Sequence, residues 1–145
     1  MKRRVTWLFG VLATLATLAV LGLAAGSAGA AGKRISVTGE VIDTWCYLTE
    51  IMVPEGTADH QCVIWCAAGG IPVGILDDSG KVYMVMKYGD DDTTVRPPAI
   101  MKIQTHRVAV EGDLYGINYL FVNQVVADEG IVKLNHEDFG IQPGG

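Results

Sequence analysis

Two seven-residue stretches share one pattern. Ile35-Ser36-Val37-Thr38-Gly39-Glu40-Val41 and Val108-Ala109-Val110-Glu111-Gly112-Asp113-Leu114 both read apolar, any, apolar, any, glycine, acid, apolar. A period of two marks a strand with one buried face. A glycine inside such a strand removes the side chain where the chain bends or where another backbone approaches closely. Two copies about seventy residues apart are not a solenoid repeat. They fit two strands that each turn sharply around a small barrel, with glycine relieving the crowding at the corner.

The remaining strands follow from the same periodicity. Ile71 to Leu76 and Lys81 to Met86 flank Asp77-Asp78-Ser79-Gly80, a hairpin turn. Val108 to Tyr115 and Tyr119 to Ala127 flank the turn Gly116 to Asn118. Pro97-Pro98 opens a short helix through Ala99 to Gln104. Ile131, Val132 and Leu134 suggest a short closing strand before a tail, residues 142–145, that should fray. Five main strands with a helix between the third and fourth is the order of an OB-fold barrel. The expected class is therefore all-β with one or two short helices: a five- to six-stranded OB-like barrel with an insert between strands 1 and 2. A small open β-sandwich is the rival arrangement.

Residues 1–30 read as a signal peptide rather than as part of this fold. Lys2, Arg3 and Arg4 supply a positive start, Trp7 to Leu23 an apolar core, and Ala28-Gly29-Ala30 a small-residue cleavage site. An uncleaved membrane anchor is the alternative. Cleavage leaves residues 31–145 as one domain, exported to a periplasm or the extracellular space, with no stable membrane insertion. Eight basic side chains then face sixteen acidic ones, a net charge of −8. That balance makes nucleic acid a poor partner, and anionic lipid likewise.

The chemistry is concentrated between Thr44 and Gly70. This stretch holds all three cysteines, Cys46, Cys62 and Cys66, together with His60, Trp45 and Trp65. Asp59 is a good N-cap and Gly69-Gly70 a good stop, so His60 to Ala68 is expected as about two helical turns, following a loop from Tyr47 to Ala58. Cys62 and Cys66, four apart, then share one face. His60 lies only two residues before Cys62 and joins them only if the helix starts after it or its side chain swings back. Cys46 arrives from the end of the first strand. Cys46, His60, Cys62 and Cys66 together make a Cys₃His set for zinc, and thiolates with an imidazole also suit copper.

Other readings stay open at this stage. Three cysteines in an exported chain are equally compatible with one disulfide and a spare thiol stapling a ligand- or protein-binding module. A thiol–disulfide protein with Cys62 as attacking thiolate, or haem ligation, are further options. Met52, Met84, Met86 and Met101 are candidate thioether ligands, with core filling the commoner use. Trp45 and Trp65 either cover the site or pack in the core. His106 and His136 read as surface residues, and Asp90-Asp91-Asp92 as a solvated loop without calcium-loop spacing. No nucleophile elbow, phosphate loop or catalytic carboxylate pair is present. The expectation is a metal carrier or accessory factor, with an envelope redox protein as a candidate partner, rather than a hydrolytic enzyme.

Gly39-Glu40-Val41-Ile42-Asp43, Trp45-Cys46-Tyr47, His60-x-Cys62, Cys66 and Gly70-Ile71-Pro72-Val73 resemble a pattern in a group of small exported bacterial proteins, GEVVD…C…H-x-C-x₃-C…G-x-P. The resemblance covers most of residues 31–145 and implies export, a single β domain and a cysteine–histidine site, without implying a reaction. The C-x₃-C spacing is also similar to that of copper-handling proteins of the cytochrome oxidase assembly type. This chain departs from that group in lacking the proline after the second cysteine and the thioredoxin-like order of elements.

Overall fold

The computed structural model describes residues 31–90 and 99–140, without the side chains of His136 and Phe139. The signal peptide assigned to residues 1–30, the two prolines, part of the acidic loop and the tail from residue 141 lie outside the described residues. Five strands are described: β1 (Lys33–Asp43), β2 (Val73–Asp77), β3 (Val82–Tyr88), β4 (His106–Tyr115) and β5 (Tyr119–Ile131). Two helices, α1 (Thr44–Leu48) and α2 (Gly56–Gly69), lie between β1 and β2, and a 3₁₀ turn (Ile100–Ile103) precedes β4. No helix among the described residues is long and apolar enough to cross a membrane.

The strands close on themselves in the order β1-β2-β3-β5-β4, with β3 and β5 parallel and every other pair antiparallel. The two glycine motifs face each other in this barrel. Ile35 pairs with Gly112, Val37 with Val110 and Gly39 with Val108. At Gly39, β1 also picks up β2, opposite Asp77. A Cβ on Gly39 would overlap the carbonyl oxygen of Leu76, and one on Gly112 that of Phe121. The glycines are thus required by the close approach of a third strand at each corner.

Val37, Val41, Ile75, Val108, Val110 and Leu120 lie at the centre of the core, and Ala67 of α2 belongs to the same cluster. The helix therefore closes one end of the barrel, and it packs on β1, β5 and the 3₁₀ turn. Cover from the insert explains the burial pattern of β1. Its first half alternates, but from Gly39 to Asp43 every residue is buried, including outward-facing Glu40 and Ile42.

Three sequence expectations are corrected. The loop after β1 begins with a helical turn, α1, because Asp43 caps it by accepting the Cys46 amide on Oδ1 at 2.9 Å. The second helix starts at Gly56 rather than after Asp59. Its first amides are satisfied from far away: Gly56 N–H donates to the Glu40 carboxylate (2.6 Å), Thr57 N–H to the Val132 carbonyl (2.9 Å) and Ala58 N–H to the Leu134 carbonyl (3.0 Å). Val132 and Leu134 consequently form no closing strand. Ile131 ends β5, and the residues beyond it cap the helix. The stop at Gly70 is as expected, with a left-handed φ of 101°.

Candidate metal centre

Two covalent frames meet at one end of the barrel. α1 carries Cys46 directly off β1, and Thr44 ties that turn to the far end of the insert by donating its hydroxyl to the Pro72 carbonyl at 2.6 Å. α2 carries Cys62 and Cys66 on one stripe, while His60, Val63 and Ala67 lie on the neighbouring stripe that faces the barrel. The Cys66 carbonyl accepts the Ile71 amide at 3.0 Å, fixing the end of α2 close to Pro72. Backbone hydrogen bonds thus set the separation of Cys46 and Cys66.

Asp43, Cys46 and Cys66 each offer a ligand atom, and these three atoms lie within 4.8 Å of one another. Asp43 is 2% exposed. Its Oδ1 is used in capping, whereas Oδ2 is buried with no well-formed hydrogen bond; the thiols beside it are weak donors. An unpaired buried carboxylate oxygen is costly. All three cysteines are free thiols.

The thiols show the strain of sharing this space. A thiol hydrogen bond to the Asp43 carboxylate, then burial, then the charge of that carboxylate, hold the Cys66 thiol far above the ordinary range, and Cys62 adds to the effect. Burial, then the negative charge of Asp43, also raises Cys46. Three acids that ionise to anions within 4.8 Å cannot all do so unless a cation sits among them. Cys62 is the next thiol outward. Its Sγ lies 3.7 Å from Met52 Sδ, and its charge opposes ionisation of both Cys46 and Cys66.

The four residues of the sequence-derived set are placed as follows. Cys46 and Cys66 converge, and Cys62 flanks them. His60 is not among the three converging groups, because its Nδ1 is 2.7 Å from Thr105 Oγ1. Thr105 is fully buried with a φ of 58°, a left-handed conformation that a β-branched residue rarely adopts. Asp43 was missed as a member of the group, although an Asp directly before a Thr-x-Cys turn is a readable N-cap signal. Trp45 and Trp65 are 57% and 70% exposed, so neither packs in the core. His106 pairs at the surface with Asp128 at 2.8 Å. Met101 packs against the core, as core filling required.

Comparison with protein-family models, with curated proteins and with solved structures returns no match for this chain.

Proposed function

We propose that this protein binds a thiophilic metal ion, zinc or copper, through Asp43, Cys46 and Cys66, with Cys62 as the nearest further donor. One observation carries the reading: the buried Oδ2 of Asp43 has no proper partner, and it belongs to a carboxylate grouped with two thiols. A cation would satisfy that oxygen and remove the mutual repulsion that keeps the thiols protonated. The donor set and its charge favour a divalent ion, because two thiolates and a carboxylate leave Zn²⁺ with one net negative charge and Cu⁺ with two. His60 serves as a positioning residue in this scheme, tying α2 to Thr105.

The barrel is read as OB-like. Five strands in the order β1-β2-β3-β5-β4, with the functional insert in the first loop, support that reading. The signal-peptide pattern of residues 1–30 supports export, and with it a role as carrier or accessory factor outside the cytoplasm. The nearness of Cys46 and Cys66 favours a second reading, in which these two form a disulfide that staples the insert. In a thiol–disulfide enzyme with Cys62 attacking, the resolving partner would be Cys46 or Cys66, and both are pushed toward the unreactive thiol, which makes that reading a poorer fit.

Elemental analysis and a free-thiol count on one sample of the protein, purified from its native compartment, test this. At least one zinc or copper ion per chain is expected, with one ion fewer in Asp43→Asn and in Cys46→Ser. No metal and a single free thiol would leave the stapled barrel instead.

A further inference from the structure

The Cys62–Met52 pair lies outside the three-ligand group, and in it the Cys62 thiol donates a hydrogen bond to the Met52 thioether sulfur. The 3.7 Å between Cys62 Sγ and Met52 Sδ is the separation of two sulfurs each about 2.3 Å from one ion at the tetrahedral angle. Met52 does not lie in the strands or helices and is not one of the core residues. Its thioether therefore does not serve the commoner purpose of filling the barrel. Both side chains are half-buried, whereas Cys46, deeper in, is buried. A thioether beside a thiolate is a soft donor pair that selects Cu(I) over zinc. Charge points the same way: one thiolate and one neutral thioether are neutralised by a monovalent ion.

We infer that Cys62 and Met52 form an outer Cu(I) site at the mouth of the Asp43–Cys46–Cys66 group. The inference builds on the metal-binding reading and assigns Cys62 to this outer ion, leaving the inner group to Asp43, Cys46 and Cys66. Loading is a ligand exchange without redox change. The Cys62 S–H bond breaks, its proton goes to solvent, and a Cu–S bond forms; Met52 Sδ donates a lone pair and loses no proton; copper enters and remains as Cu(I), delivered as a complex with a small chelator. One proton is released per ion. Loading the inner group with zinc releases two, one from each of the Cys46 and Cys66 thiols.

The test is anaerobic titration of the reduced, metal-free protein with Cu(I) against a chromophoric Cu(I) chelator, and with Zn²⁺ against a zinc chelator. Met52→Leu keeps volume and apolarity, and its thermal unfolding checks the fold. It should weaken Cu(I) binding at least about tenfold and leave zinc affinity unchanged. Cys46→Ser should weaken zinc and retain the first Cu(I). Unchanged Cu(I) affinity in Met52→Leu, equal loss of both metals in that variant, or loss of Cu(I) in Cys46→Ser would each overturn the outer site. Retention of zinc by Cys46→Ser would instead remove the inner-group reading and leave the Met52 result standing. Copper-edge X-ray absorption on the unmutated protein provides a mutation-free check: a sulfur-only shell is expected at one equivalent, and nitrogen or oxygen neighbours would overturn the assignment.

Discussion

His60 donates its Nδ1 hydrogen to Thr105 Oγ1 across 2.7 Å, and this direction follows from Thr105 itself. The threonine hydroxyl has one hydrogen, which is given to the Gln104 carbonyl at 2.7 Å, so toward His60 the oxygen can only accept. Neutral His60 is thereby fixed with its lone pair on Nε2, the arrangement in which ligating imidazoles are commonly held.

The tautomer is directly measurable. Long-range ¹H–¹⁵N spectra of the metal-free protein, at a pH where His60 is neutral, should show protonated Nδ1 and bare Nε2. Thr105→Val removes the acceptor and should mix the tautomers. If added zinc shifts Nε2 by the amount typical of a bound metal, His60 is a ligand after all; an unmoved Nε2 fixes it as a positioning residue.

Glu40 links stability to pH. Burial, only partly offset by the Gly56 hydrogen bond, raises its carboxyl to about 7, against 4.5 when free. The folded chain therefore binds this proton more tightly than the unfolded one, and stability falls as pH rises from about 4.5 to about 7, then levels. The loss is about 3 kcal/mol at most. Glu55 is raised by burial and acts in the same direction. Asp77, Asp78 and Asp128 are lowered from 3.8, so their effects fall below this window. Urea midpoints measured between pH 5 and 8 should decline in the wild type and flatten in Glu40→Gln, which keeps an acceptor for Gly56.

The corner glycines give a stability contrast. Gly39→Ala places a methyl group against the Leu76 carbonyl and should cost at least about 2 kcal/mol in urea unfolding. Gly69→Ala, in the last turn of α2 with open space around it, should be neutral or stabilising by up to about 1 kcal/mol. Equal effects at the two positions would contradict the close-approach account of Gly39.

These residues also show what could be read before the structure. The alternation in Ile35–Val41 and Val108–Leu114 is a local signal, and it located both the strands and the bends. That the two motifs pair with each other is a long-range fact that no spacing encodes. The start of α2 was misplaced for the same reason: Asp59 is a good local cap, but Glu40, Val132 and Leu134 provide partners three residues earlier. The two-residue offset between His60 and Cys62 puts them on different stripes of α2, and the four-residue spacing puts Cys62 and Cys66 on one, yet the wheel alone does not say where the His60 ring bonds. Asp43 was overlooked because its capping role and its place beside the thiols come from the two different oxygens of one carboxylate. The core reading of Trp45 and Trp65 fails because periodicity does not reveal which side of an insert faces solvent.

Asp43 also makes the sharpest prediction about thiol chemistry. Its carboxylate is the leading cause of the high proton affinity of Cys66 and, after burial, a cause of that of Cys46. Asn is as good an N-cap as Asp, so Asp43→Asn keeps an oxygen for the Cys46 amide while it removes the charge and replaces the second carboxylate oxygen, an acceptor for a thiol, with an NH₂ group. Both thiols should then ionise at lower pH. In the reduced, metal-free protein, alkylation of Cys66 at pH 8 should be several-fold faster in Asp43→Asn than in wild type, with the larger change at half-buried Cys66 than at buried Cys46. Zinc affinity should move the opposite way, falling because a ligand oxygen is gone, even though the remaining thiolates are easier to form. Faster alkylation with unchanged zinc binding would leave Asp43 a purely electrostatic neighbour of the thiols. Slower alkylation would contradict the assigned cause of the raised thiol values.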